Sequence, residues 1–81
     1  MGNAGPDYVG TVADYFVKQR GRGSMLSPAD LAIVAAWERD GVPLNVVLRG
    51  IAAAFRRNPA IRSVAGCRAA VTAELKRTRT L

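Results

Sequence analysis

The sequence predicts an all-α fold, a compact bundle of four short helices. Apolar residues recur at helical spacing in four segments, and helix start and stop residues bound these segments. The 49% apolar content includes only five aromatic residues, a composition that suits close-packed helices. Eighty-one residues make one small domain. We predict helices at about 7–19, 28–40, 43–57 and 63–77, with residues 1–5 and 78–81 flexible.

The first predicted helix opens at Pro6 and Asp7, because proline suits the first turn and aspartate favours the positive end of the helix dipole. A helical period follows at Tyr8, Val12, Tyr15, Phe16 and Gln19. The Gly-Arg-Gly-Ser segment at residues 21–24 then predicts a loop that ends the helix and turns the chain.

The second helix has the clearest start. Ser27 is a typical N-cap, Pro28 fits the first helical position, and Asp30 completes a variant of the capping box. Gly41 is the left-handed stop expected after the last turn. A new helix restarts at Pro43, so the sequence predicts a tight helix–turn–helix corner at Gly41–Pro43.

The second helix turns Leu31, Val34 and Ala35 to one side, with Ile33 and Trp37 as a neighbouring pair one turn apart. Trp37 has two interpretations. It is either the large anchor of a small core or an exposed ring that stacks on a base or a partner. We favour the core.

The third helix, PLNVVLRGIAAAFRR, carries the longest regular pattern. Its predicted apolar stripe comprises Leu44, Val47, Leu48, Ile51 and Phe55. Asn45, Arg49 and Arg56 fall together on one flank of the stripe. Gly50 and the alanines at 52–54 leave the helix narrow, so another helix can approach closely.

The last helix follows a break at Asn58 and Pro59. Ser63 is a possible cap, and the apolar stripe comprises Val64, Cys67, Val71 and Leu75. Arg68 lies at the edge of this stripe.

Most classes of active site are difficult to build from these residues. The chain has no histidine and one cysteine, so we expect no catalytic residues, no metal site, no cofactor, no disulfide and no small-molecule substrate. No apolar run reaches the roughly 18 residues of a membrane span, and no signal peptide is recognised. We expect a cytoplasmic protein without a membrane partner.

The positive charge is concentrated in the second half of the chain. Residues 1–40 carry a net charge of −1, whereas residues 41–81 carry eight basic residues and one acid, Glu74, for +7. Such a field attracts polyanions or acidic protein surfaces. We therefore predict a non-catalytic nucleic-acid-binding accessory module that contacts backbone phosphates. The candidate contact residues are Arg49, Arg56, Arg57, Arg62 and Arg68.

Two alternatives remain open at this point. The domain is a protein-interaction or homodimeric assembly module, in which the arginines solvate the surface or meet an acidic partner. Alternatively, the Gly41–Pro43 corner presents a helix to the major groove of DNA, although the second helix of that corner is long and apolar.

The stretch from Leu26 to Phe55 combines a Leu-Ser-Pro helix start, a tryptophan near the helix end, a Gly-hydrophobic corner and the pattern V-x-x-x-I-x-x-A. In these features it resembles the C-terminal domain of DnaD-like primosome proteins. The resemblance implies a small helical domain of bacterial or phage replication, which binds DNA and other replication proteins.

Overall fold

The computed structural model describes residues 6–21 and 25–79. In this part of the chain there are four α-helices: α1 (Pro6–Arg20), α2 (Pro28–Arg39), α3 (Leu44–Arg57) and α4 (Arg68–Arg79). A 3₁₀ turn, Val64–Cys67, leads directly into α4. The all-α prediction is therefore confirmed. Flexible ends were predicted at residues 1–5 and 78–81. Residues 78 and 79 instead form the end of α4, two residues beyond its predicted end. Residues 1–5 and 80–81 lie outside the described residues, as does most of the 21–24 loop.

The start of α2 forms as its sequence predicts. The Ser27 Oγ accepts a hydrogen bond from the Asp30 N–H at 3.1 Å, and the Asp30 Oδ2 accepts one from the Ser27 N–H at 3.1 Å. Pro28 stands at the first helical position. This reciprocal capping box satisfies two N–H groups that the helix cannot bond itself.

The end of α2 is a Schellman motif. Gly41 has φ +78°, its N–H donates to the Glu38 carbonyl at 3.1 Å, and the Val42 N–H donates to the Trp37 carbonyl at 3.0 Å. Only glycine adopts this φ without strain, so the predicted stop at residue 41 is confirmed. The Tyr8 hydroxyl then donates to the Val42 carbonyl at 2.7 Å, which fixes the corner against α1.

All four helices contribute to one core around α3. Its buried apolar side chains are Tyr8, Val12, Phe16, Val34, Val42, Val46, Val47, Ile51, Ala54, Phe55, Ile61, Val64, Cys67 and Val71. The rings of Phe16 and Phe55 pack at 58° with centroids 5.5 Å apart, which joins α1 to α3. The apolar stripe predicted for the last helix is confirmed at Val64, Cys67 and Val71, which are buried. Its fourth member, Leu75, is partly buried and packs against the core.

The predicted stripe on α3 is wrong in part. Leu44 and Leu48 are only partly buried, whereas Val46, Gly50 and Ala54 are buried. The reason is that α1 contacts one side of α3 and α4 contacts another, so the buried face is wider than a single stripe and is rotated toward α4.

The apolar side predicted for α2 is also rotated. Leu31 is 39% exposed and Ala35 is exposed, whereas Val34 is fully buried. Ile33 and Trp37 are half-buried and pack against the core, so the core interpretation of Trp37 holds. Asp30 lies one turn before Val34 on the same side of the helix, and its buried carboxylate accepts a hydrogen bond from the Val64 N–H at 3.0 Å.

Candidate functional site

The surface of the second half of the chain is basic. All eight of its arginine and lysine side chains are exposed: Arg49, Arg56, Arg57, Arg62, Arg68, Lys76, Arg77 and Arg79. Glu74 is the one acidic residue among residues 41–81, and its side chain is only 13% exposed. The one carboxylate in this half of the chain is therefore largely buried between α3 and α4, where it contacts two of these arginines.

The Glu74 carboxylate joins the two helices. Its Oε1 lies 3.4 Å from Arg49 Nε on α3, and its Oε2 lies 3.4 Å from Arg77 Nη2 on α4. Charge-assisted hydrogen bonds are usually about 2.7–2.9 Å, so both contacts are loose. The Arg49 and Arg77 side chains remain 52% and 77% exposed. Both guanidinium groups can therefore also donate to an anion from solvent.

The close approach of α3 and α4 sets this geometry. A Cβ atom on Gly50 would lie 2.6 Å from the Cα of Val71, so the two backbones meet at this point. Residue 49 lies beside residue 74, whereas Arg57 borders a shallow groove of about 160 Å³ with Gly66 and Ala69. The helices therefore run antiparallel.

Helix α3 carries three exposed arginines, and Glu74 joins the first of them, Arg49, to Arg77 on α4. Arg49 and Arg56 are seven residues apart, which is close to two full turns, so they project from the same side of α3. Arg57 is exposed at the end of α3 nearest the start of α4, about 80° around the helix from Arg49 and toward α4. We call Arg49, Arg56, Arg57 and Arg77 the α3–α4 basic face.

The other two predicted contact residues lie elsewhere. Arg62 is in the loop before the 3₁₀ turn, and its carbonyl accepts a hydrogen bond from Arg20 Nη1 at 3.1 Å. Arg68 begins α4 and lines a groove of about 570 Å³ with Lys76. It is six residues from Glu74, about 120° around the helix, and so lies on a different side of α4. The structure therefore has Arg49 and Arg56 on one side of α3, Arg57 beside the start of α4, and Arg62 and Arg68 in two other places.

Sequence reasoning missed Arg20 and the bridging role of Glu74. Arg20 is 42 residues from the loop that it contacts, and nothing in the local sequence indicates that pairing. Glu74 and Arg77 have the i, i+3 spacing of a helical ion pair, which is a usable signal. The contact of Glu74 with Arg49 depends on how α3 and α4 cross.

The one cysteine has a structural role. Cys67 is fully buried, and burial, followed by the nearby Asp30 carboxylate, raises the pKa of its thiol to about 11. A thiol that holds its proton this strongly is a poor nucleophile at neutral pH. In the part of the chain that the structure describes, no three histidine, cysteine, aspartate or glutamate residues are grouped as metal ligands would be.

None of the helices described has the length and apolar character required to cross a membrane.

A family model described as "Uncharacterised protein" matches residues 7–80, nearly the whole chain. The chain belongs to this family. No curated protein and no solved structure gives a significant match.

The resemblance to DnaD-like primosome domains predicted membership of that family. This prediction is wrong, because the family model that matches the chain is a different one. The features that suggested it are explained by local structure. Ser27 and Pro28 begin α2, Gly41 ends it, and Val47, Ile51 and Ala54 are core positions of α3. Capping and core residues of this kind recur wherever two helices meet at a tight corner, so they do not identify a family.

Proposed function

We propose that this family member is a non-catalytic nucleic-acid-binding accessory module that contacts backbone phosphates through the α3–α4 basic face. The observation that carries this proposal is that, within residues 41–81, the basic side chains are exposed whereas the acidic side chain is largely buried. Every basic side chain there is exposed, and the single acid is 13% exposed. The resulting positive surface is available to a polyanion.

Arginine suits this role because its planar guanidinium group donates two parallel hydrogen bonds to one phosphate. Neutralising phosphates releases condensed counterions, and that release supplies an affinity with little sequence preference and a steep salt dependence. In this proposal Arg49, Arg56 and Arg57 make the principal contacts. Arg62 and Arg68 extend contact to a polyanion that continues past the Arg57 end of the face.

The test is binding of labelled DNA, measured by fluorescence anisotropy at about 50 mM salt. We compare the wild type with Arg49→Ala/Arg56→Ala. The matched control is Lys18→Ala/Arg39→Ala, which removes two exposed cations from α1 and α2 and lowers the net charge equally. The proposal expects the first variant to lose about tenfold or more in affinity and the control to lose about twofold or less.

Two results contradict the proposal. One is the absence of binding by the wild type to DNA or RNA at this salt concentration. The other is an equal loss in the two double variants, which would show that binding depends on overall charge rather than on this face.

A second candidate function is homodimeric assembly. The observation that favours it is a groove of about 540 Å³ between α1 and the beginning of α2, lined by Val17, Leu26 and Leu31 among others. Met25 at its edge is 84% exposed and Leu31 is 39% exposed. A small domain has a limited core and gains stability from burying such residues against a second copy.

Sedimentation across a range of protein concentrations separates the two functions. Assembly predicts a dimer whose fraction rises with protein concentration. The double variant Met25→Lys/Leu31→Lys should abolish this dimer while leaving the basic face with Arg49 and Arg56 unchanged. A monomer at every concentration excludes the homodimer and leaves nucleic-acid binding as the proposed function.

A further inference from the structure

The aromatic side chains of this chain all belong to the core or pack against it. Tyr8, Phe16 and Phe55 are at most 7% exposed. Tyr15 and Trp37 are half-buried against the same core. These five are the full aromatic content of the sequence, and all five lie in its described part.

The α3–α4 basic face therefore carries no exposed aromatic side chain, because the one aromatic residue of α3 and α4 is the buried Phe55. Ala53 lies between Arg49 and Arg56 on α3, and Ala70 borders the groove with Arg57. Proteins that hold single-stranded nucleic acid usually combine a basic groove with aromatic rings on which the unpaired bases stack. This face offers the charge of such a groove without the stacking surface.

The backbone positions from which these arginines project are fixed by the packing of α3 against α4. Arg49 and Arg56 are about 10–11 Å apart along the axis of α3. Glu74 links Arg49 to Arg77 across the seam, and the backbone contact between Gly50 and Val71 fixes the distance between the helices. Cations that project from a rigid pair of helices match a regular array of phosphates better than they match a flexible strand, because the flexible strand must itself be ordered when it binds.

The phosphates of a duplex form such an array. Its major groove is about 12 Å wide, comparable with the separation of Arg49 and Arg56. The two side chains can therefore reach phosphates of the two strands that border one groove.

We propose that the α3–α4 basic face selects double-stranded over single-stranded DNA. This inference rests on the proposed function and specifies its substrate class. Binding follows the phosphate positions of the duplex, and the bases stay stacked inside it.

The experiment compares a duplex of about 20 base pairs with oligo-dT of about 40 nucleotides, so that the two probes carry similar charge. The expected result is a duplex affinity about tenfold higher or more. Four arginines at the interface predict a slope of about −3 to −4 for log K against log salt concentration with the duplex. Equal or tighter binding of oligo-dT overturns the duplex preference and leaves the proposed function standing. Binding of neither probe overturns both.

A gain-of-function variant tests the physical reason. Ala73 is exposed on α4 one turn before Arg77 and also borders the groove that contains Arg68, so Ala73→Tyr adds an aromatic ring at the Arg77 edge of the face. We expect its affinity for oligo-dT to rise about fivefold or more, with a smaller change for the duplex. Ala73→Leu is the control, since it adds bulk without an aromatic ring. An equal gain in both variants would contradict the assignment of the preference to stacking.

Discussion

The carboxylate of Asp30 accepts a hydrogen bond from the Val64 N–H, 34 residues further along the chain, at 3.0 Å. The same side chain closes the capping box of α2 through its other oxygen. Asp30 is 6% exposed and is the one buried charged residue in the described part of the chain. One carboxylate therefore holds the starts of two helices together, and it positions the 3₁₀ turn that leads into α4.

Replacing Asp30 by alanine should destabilise the domain strongly. The substitution leaves the buried Val64 N–H without its acceptor and also opens the capping box. Each lost bond of this kind costs about 1–3 kcal/mol, so we expect a loss of about 2–4 kcal/mol in the free energy of unfolding. Urea denaturation followed by circular dichroism measures this loss.

Ser27→Ala is the matched control for Asp30→Ala. It removes only the bond from the Asp30 N–H to the Ser27 Oγ and should cost about 1 kcal/mol. If the two variants are equally stable, the bond between Asp30 and Val64 does not contribute to stability as described.

Two helical glycines should respond in opposite directions to alanine. At Gly50 the new Cβ would lie 2.6 Å from the Cα of Val71, and a backbone atom cannot move aside as a flexible side chain can. We expect Gly50→Ala to lower the free energy of unfolding by about 2 kcal/mol or more.

Gly10 provides the control, because nothing lies within 4 Å of a Cβ placed there. Alanine is the better helix former, so Gly10→Ala should raise the free energy of unfolding by about 0.5–1 kcal/mol. Thermal denaturation of both variants checks the pair. Stabilisation by Gly50→Ala would show that α3 and α4 do not meet at that residue.

The helix ends were predictable because their signals are local. Ser27, Pro28 and Asp30 lie within four residues, and Gly41 directly follows the helix that it ends. The partial burial of Leu44 and Leu48 was not predictable from the period of α3 alone. The period shows which residues share a side of a helix, but neighbouring helices decide how much of that side is covered.

The same limit applies to the candidate site. The excess of arginine in the second half and the pairing of Arg49 with Arg56 on one side of α3 follow from the sequence. The distant placement of Arg62 and Arg68 and the bridge from Glu74 to Arg49 depend on the antiparallel packing of α3 and α4.

Stability should fall at alkaline pH because two buried groups hold their protons more strongly in the folded state. Burial raises the pKa of Cys67 from 9.0 to about 11 and that of Tyr8 from 10.0 to about 12, with smaller contributions from Asp30 and Glu38 respectively. The unfolded chain therefore loses these protons at lower pH, and ionisation favours unfolding. Below pH 9 we expect ionisation of Cys67 to have no effect on the free energy of unfolding. As the pH rises from 9 to 11, the contribution of Cys67 should lower that free energy by about 2–3 kcal/mol.

Denaturation curves measured at intervals between about pH 8 and 11 test this expectation. Cys67→Ala lowers stability at every pH by leaving space in the core, but it should remove the part of the slope that begins near pH 9. Tyr8→Phe should leave that part unchanged and reduce only the loss at higher pH. An unchanged slope in Cys67→Ala would show that the thiol does not titrate as described.

Glu74→Gln should strengthen binding of duplex DNA under the proposed function. The substitution removes the one negative charge beside Arg49 and Arg77 and preserves the shape of the side chain. We expect an affinity gain of about two- to fivefold at low salt and a steeper salt dependence.

Asp14→Asn is the control, because it changes the net charge equally on α1, where Asp14 pairs with Lys18 on the exposed surface. Both variants should unfold within about 1 kcal/mol of the wild type, since their ion pairs are loose. The comparison separates the effect of where the charge lies from the effect of total charge. An affinity gain for Glu74→Gln alone would show that the phosphates bind between α3 and α4. Equal gains for both variants would show that they bind elsewhere.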